Sequence, residues 1–258
     1  MPDAEQGPAR WTLKLIQAHC SEFSSLKTLS GVHRRLKALK IAWKCSRLHL
    51  SSPDVEYGPK LEQIAQARCE AEVAPEAVRV LYGDQASFYR MPHPGRSWIA
   101  KKAGGRGQPR PAHTPGANTK RRMMATLDIY DGRVVSHTAK QIGAKALARF
   151  LRKLRIAYGP TLRIVLVWDN WPVHYHPLVV EAAREQRIEL LYLPTYAPWT
   201  NPIEKLWKKL REELLHLHRL SDRWMELRRR VDQYLAALDR KNPELLRYVG
   251  LDPKPLPI

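Results

Sequence analysis

Arg163-Ile164-Val165-Leu166-Val167-Trp168-Asp169 sets five consecutive large apolar residues between a base and a carboxylate. The run is too short for a core helix and rich in β-branched residues, so it reads as a strand covered on both faces and closing on an acid. Before it, Ala144 to Tyr158 carries Leu147, Leu151 and Leu154 at helical spacing. After it come a helix near Pro177 to Gln186, a strand from Ile188 to Leu193, and a long helix expected from Pro202 to Leu220. Upstream, the alternation Val78, Val80, Tyr82, Asp84 marks a strand expected to end at Asp84. Met123 to Ile129 and Arg133 to Thr138 flank Tyr130-Asp131-Gly132, an Asp-Gly hairpin signal. The order β-β-β-α-β-α-β-α predicts an α/β fold, a mixed sheet with helices on its faces.

The N-terminal part has another character. Residues 9–49 hold nine Lys/Arg and one acid, Glu22. With Ser30 as N-cap, a helix would place Val32, Leu36, Leu39 and Trp43 on one face and leave Arg34, Arg35 and Lys37 for contacts with DNA. The expected organisation is a small all-α, helix-turn-helix-like module over 1–55, a linker and connecting helix over 56–75, and the α/β domain over 76–258. Ser51-Ser52-Pro53-Asp54 and Gly58-Pro59 are the linker signals.

A net charge of +19 from 44 Lys+Arg against 25 Asp+Glu points to a polyanionic partner. The distribution sharpens this, because residues 85–127 contain nine Lys/Arg and residues 132–168 eight, and neither segment has an acid. Lys145, Arg149, Arg152 and Lys153 form a stripe on the first helix of the α/β part; Lys101, Lys102, Arg106 and Arg110 lie in a Gly/Pro-rich loop. Both groups suit sequence-independent contacts with phosphates. Lys205, Lys208 and Lys209 could track a bound strand or simply face solvent. Cys20, Cys45 and Cys69 lack Cys-x-x-Cys spacing and read as buried thiols in a reducing compartment. No apolar run reaches the roughly 20 residues of a membrane span and the N-terminus has no signal-peptide pattern, so a cytoplasmic protein without a membrane partner is expected.

Against this acid-poor background, Asp84, Asp169 and Glu204 stand out, with 34 residues between the last two. Carboxylates are the hard oxygen donors that Mg²⁺ prefers, and two such ions suit phosphodiester chemistry. Each also has a local structural explanation. Asp84 could end a strand and Asp169 could close an Asx turn, while Glu204 could complete a capping box with Asn201 as N-cap and Pro202 at N1. Asp128 and Asp131 belong to the hairpin. A transition-metal site of Asp169, His174 and His176 is the competing arrangement.

Val165 to His174, followed by Leu193-Pro194-Thr195-Tyr196-Ala197-Pro198-Trp199-Thr200-Asn201-Pro202-Ile203-Glu204-Lys205-Leu206-Trp207, closely resembles the bacterial insertion-sequence branch of the mariner superfamily of DDE transposases. The resemblance extends through Gly83-Asp84 and Ser97-Trp98, and more weakly into Trp11-Thr12-Leu13 and Ser52-Pro53-Asp54. It implies an RNase H-like catalytic domain with Asp84, Asp169 and Glu204 as catalytic residues and ligands of two Mg²⁺ (or Mn²⁺) ions. It further implies cleavage and strand transfer on double-stranded transposon ends and target DNA, by a homodimer or larger assembly associated with the bacterial nucleoid. His174 is an auxiliary candidate for orienting phosphate or water. The chain departs from the family pattern at Gln85, where Glu is frequent, and is expected to begin within the second of two helix-turn-helix units. The alternatives are a catalytically silent DNA-binding remnant or regulator and a stand-alone RNase H-like nuclease.

Overall fold

A computed structural model describes residues 11–42, 51–98, 110–111 and 118–251. The expectations for Trp43, Cys45, Lys101, Lys102 and Arg106 fall outside them. The chain divides into two compact units, Met1–His49 and Leu50–Ile258.

In the first unit, α1 (Leu13–His19), α2 (Ser21–Ser24) and α3 (Leu29–Ala38) follow one another closely. Phe23 and Val32 are its buried apolar side chains among the described residues. Thr28, not Ser30, caps α3: its hydroxyl accepts from the Gly31 amide at 3.1 Å, satisfying an amide with no partner inside the helix. The helix ends at Ala38 and Lys40 turns to φ +57°, so Leu39, 44% exposed, falls off the expected apolar face. Arg34, Arg35 and Lys37 are exposed.

The second unit opens with α4 (Tyr57–Val73), which leads into β1 (Val78–Tyr89), β2 (Lys120–Asp128) and β3 (Val134–Ala139). Then come α5 (Ala144–Tyr158), β4 (Arg163–Trp168), α6 (Pro177–Glu185) and β5 (Ile188–Tyr192). The chain finishes with α7 (Ile203–Leu210), α8 (Trp224–Ala237) and α9 (Pro243–Val249). The sheet order is β3-β2-β1-β4-β5. β1, β2 and β3 pair antiparallel, while β1, β4 and β5 run parallel.

Side-chain alternation explains the three layers. On one face Leu81, Ile164, Leu166 and Trp168 pack with Leu147, Leu151 and Leu154 of α5 and Val179 and Ala182 of α6. On the other, Val80, Tyr82, Val165 and Val167 meet Ile64, Ala67 and Ala71 of α4. Farther along that face, Phe88, Met123, Ala125 and Leu127 pack with Ile203, Leu206, Trp207 and Leu210 of α7 and with α8 and α9. Each large apolar side chain removed from water in these layers contributes about 1.5–3 kcal/mol before entropy is counted.

Two expectations fail here for physical reasons. The helix expected to reach Leu220 leaves α-geometry at Arg211–Leu215, where the backbone widens to a π turn. It then stops as the His93 amide donates to the Leu215 carbonyl, the Leu217 amide donates to the His93 carbonyl, and Leu217 adopts φ +51°. The cysteine expectation fails as well, since Cys69 is exposed and Cys20 only half-buried. At the hairpin, Gly132 has φ +75° and a Cβ there would lie 2.2 Å from the Asn242 carbonyl oxygen, so only glycine fits where α9 begins.

Candidate active site

Asp84 lies within β1, not at its end, because β1 continues along β2 to Tyr89 after its pairing with β4 stops at Tyr82↔Val167. The fraying of that parallel pair is what opens the site. Continuing the register by two positions puts Asp84 level with Asp169, one residue beyond β4. By alternation, both carboxylates project to the face that carries α7.

The α7 helix supplies the third. Glu204 sits in its first turn, and three residues later Trp207, fully buried, donates from Nε1 to Asp84 Oδ2 at 2.7 Å. The expected capping box is not formed. Pro202 occupies the N-cap position, and the Asn201 side chain instead bridges, donating to the Gly83 carbonyl at 3.2 Å and accepting from the Ile203 amide at 3.3 Å. Asn201, 5% exposed, thus ties the start of α7 to the residue preceding Asp84. Glu204 as a whole is exposed, with its carboxylate partly sheltered from water.

The electrostatics show that the three acids feel one another. Burial, then the Glu204 charge and to a smaller degree that of Asp169, push the Asp84 carboxyl up to about 7, against the Gln85 amide and Trp207. Glu204 is also raised, by burial and by Asp169, with Arg211 opposing. For Asp169 burial acts upward, but the hydrogen bonds from His174 and the Trp171 amide outweigh it and leave the carboxyl lowered. Its Oδ1 accepts from the Trp171 amide at 3.2 Å, so the Asx turn and an available carboxylate coexist; the side chain is 53% exposed.

His174, 1% exposed, supports Asp169 from behind. Its Nδ1 lies 3.0 Å from Asp169 Oδ1 and 2.9 Å from the Asp169 carbonyl, Nε2 is 2.8 Å from Gln85 Nε2, and its ring stacks on Trp168 at 4.0 Å. With the Gln85 amide donating to Nε2, the proton belongs on Nδ1, facing Asp169. His176 is spent otherwise: its Nδ1 accepts from the Leu178 amide and caps α6. The competing one-aspartate, two-histidine site is therefore not assembled.

A third set of contacts holds the chain between the acids. Asp54 accepts from the Thr195 amide at 2.7 Å and from Lys60 at 2.9 Å, and Ser52 donates to the Thr195 carbonyl. The Thr195 amide and then the Lys60 ammonium hold the Asp54 carboxyl well below the usual range. Asn170 donates to the Leu193 carbonyl and, at 3.4 Å, to Thr195 Oγ1. These roles were not read from sequence. Trp207 carries a usable signal, since it is one turn from Glu204, whereas contacts across more than 140 residues leave none.

Among the described residues no three His, Cys, Asp or Glu side chains are gathered closely enough to hold a metal ion. The donor set nonetheless fits a hard divalent cation: three carboxylates, one of them desolvated and raised by its acidic neighbours, are relieved when a cation is added.

Of the basic candidates, Lys145, Arg149, Arg152 and Lys153 are all exposed on α5, although Arg152 pairs with Glu185 at 3.5 Å and Lys153 reaches the Ser136 carbonyl. Arg110 is exposed. Lys205 donates to the Val249 carbonyl at 2.7 Å, and Lys208 lies 3.8 Å from Glu212.

An antiparallel β3-β2-β1 meander joined in parallel to β4 and β5, with one acid on β1, a second just past β4 and a third on the helix after β5, defines an RNase H-like fold with an acidic centre. The family model described as "DDE superfamily endonuclease" matches residues 79–228, more than half of the chain. The chain belongs to that superfamily. It is 26% identical over 225 residues to the insertion element IS630 uncharacterized 39 kDa protein of Shigella sonnei, covering 86% of this chain and 63% of that relative's length. In fold it is similar to the Mos1 transposase paired-end complex with left transposon end, with TM-score 0.63, 16% identity, and 95% of this chain and 76% of that chain covered. It is also similar to the mariner Mos1 paired end complex with Mg, with TM-score 0.62, 18% identity, and 91% and 74% covered.

Proposed function

We propose that this protein is a DNA transposase that cleaves a strand at the end of an insertion sequence and joins the freed 3′-hydroxyl to target DNA. The observation that carries this is the electrostatically coupled trio Asp84, Asp169 and Glu204 at the opening between β1 and β4. Membership of an endonuclease superfamily and the likeness to an insertion-element protein support it. Asp84, Asp169 and Glu204 would hold Mg²⁺ or Mn²⁺, two ions in the proposed scheme. Bound there, such ions activate the attacking oxygen and stabilise the leaving one.

The chain's own groups do the rest. His174 aims the Asp169 carboxylate, Trp207 fixes the rotamer of Asp84, and Asn201 sets the start of α7 so that Glu204 faces the two aspartates. Lys145, Arg149, Arg152, Lys153 and Arg110 hold DNA phosphates, with Lys101, Lys102 and Arg106 as further contacts. Lys208 remains a candidate beside Glu204, while Lys205 serves the α7–α9 packing. The N-terminal unit, with Arg34, Arg35 and Lys37, forms the DNA-binding module ahead of the 76–258 catalytic domain, while Ser52 and Asp54 of the expected 1–55 module serve the second unit. The protein acts in the bacterial cytoplasm on nucleoid DNA, as a dimer or larger assembly when two ends are joined.

The test is incubation of the full chain with a supercoiled plasmid carrying the DNA that flanks its reading frame, with Mg²⁺ or Mn²⁺. Nicked and joined products that disappear with Asp169→Asn are expected. Nicking without joining would leave a nuclease, and binding without cutting would overturn the enzymatic proposal.

A further inference from the structure

Tyr196 is exposed to 79% and holds φ +54°, in the left-handed region that bulky residues avoid. Among the described non-glycine residues three others share a positive φ, and each has a local explanation. Lys40 and Arg187 follow the C-caps of α3 and α6, where a left-handed residue ends a helix, and Leu217 is held by the His93 carbonyl. Tyr196 ends no helix. Its conformation is imposed from both sides instead. Thr195 is gripped through its amide, carbonyl and hydroxyl by Asp54, Ser52 and Asn170, while Ala197 is 3% exposed. The strained turn thus lifts an aromatic ring into solvent.

Its place in the chain gives that ring a purpose. Thr195 is anchored by the residue after Asp169, and Asn201 is anchored to the residue before Asp84, so residues 196–200 arch between two fixings that each adjoin a carboxylate. Trp199, 40% exposed, stands on the same arch with its Nε1 donating to the Tyr57 hydroxyl at 3.4 Å. Residues held in such sparsely populated conformations cluster at active sites and ligand clamps. The ligand chemistry follows from an exposed π-face on a chain of net charge +19: a flat, unpaired nucleobase on a polyanionic strand.

We infer that Tyr196 is a base-stacking subsite for the single-stranded DNA next to the scissile phosphate, keeping the cut strand from re-annealing. This rests on the proposed action on DNA, and the experiment separates the two. The full chain, in EDTA so that nothing is cut, is titrated with a DNA duplex bearing a single-stranded 3′ overhang that contains 2-aminopurine, and with the same duplex made blunt. Wild type and Tyr196→Phe should quench 2-aminopurine on binding. Tyr196→Gly, which relieves the φ strain, should raise or preserve the melting temperature, lose the quenching, and bind the overhang duplex about ten-fold more weakly with unchanged affinity for the blunt one. Equal quenching by Tyr196→Gly, or equal loss on both duplexes, overturns the subsite while leaving DNA binding intact. Failure of wild type to bind either duplex overturns both.

Discussion

Replacing Asp84 by asparagine removes a charge but keeps an oxygen that accepts from Trp207, which isolates the electrostatic cost of the acidic centre. In the folded protein the Asp84 carboxyl titrates near 7 instead of its ordinary 3.8. A group whose folded value is raised holds its proton more tightly in the native state, so its contribution is intact below about pH 4, is lost as pH climbs toward 7, and is a full penalty above that. A shift of roughly three units at about 1.36 kcal/mol each puts the ceiling near ~4 kcal/mol. In EDTA, denaturant unfolding should therefore find Asp84→Asn and wild type nearly equal at pH 4.5, with the variant more stable by up to about 4 kcal/mol at pH 8. Millimolar Mg²⁺ should narrow the gap at pH 8 by stabilising wild type alone. A difference that does not change with pH, or a variant less stable at pH 8, would refute the raising of the Asp84 carboxyl by burial and, after it, by the charges of Glu204 and Asp169.

Three other outcomes follow from single contacts. Asp54→Ala should abolish hydrogen-exchange protection at the Thr195 amide, and unchanged protection would show that Asp54 does not hold the arch. Gly132→Ala places a Cβ against the Asn242 carbonyl at a positive φ, and should cost at least about 2 kcal/mol in chemical denaturation; a neutral effect would mean α9 shifts freely. Lys145→Ala with Arg149→Ala should lower the slope of log affinity against log salt for duplex DNA by about 1.8, and an unchanged slope would remove α5 from the DNA path.

The elements around Ile164 to Trp168 were legible because burial and periodicity are local. Five apolar residues in a row can hardly be anything but an inner strand, and Leu147, Leu151 and Leu154 mark the helix that covers it. Element ends were less legible where a partner elsewhere decides them. β1 outruns Asp84 because β2 keeps pairing with it, and the helix after Pro202 breaks because Leu217 bonds to His93. The three acids could be named from their scarcity and motifs. Their supports could not: Gln85 meets His174 across 89 residues and Asn201 meets Gly83 across 118, distances over which side-chain contacts have no sequence signature. The capping-box motif shows the opposite hazard, a local signal only half met: Asn201 Oδ1 accepts from the Ile203 amide, but the Asn201 backbone amide donates to the Pro198 carbonyl and leaves Glu204 nothing to bond.

The most direct check on the metal-dependent acidic centre is an anomalous difference map from crystals of the full chain soaked in Mn²⁺. Density within direct coordination distance of Asp84, Asp169 and Glu204 is expected, lost in Asp169→Asn. Mn²⁺ bound elsewhere, or absent from a preparation that still cuts DNA, would contradict the assignment of these three carboxylates.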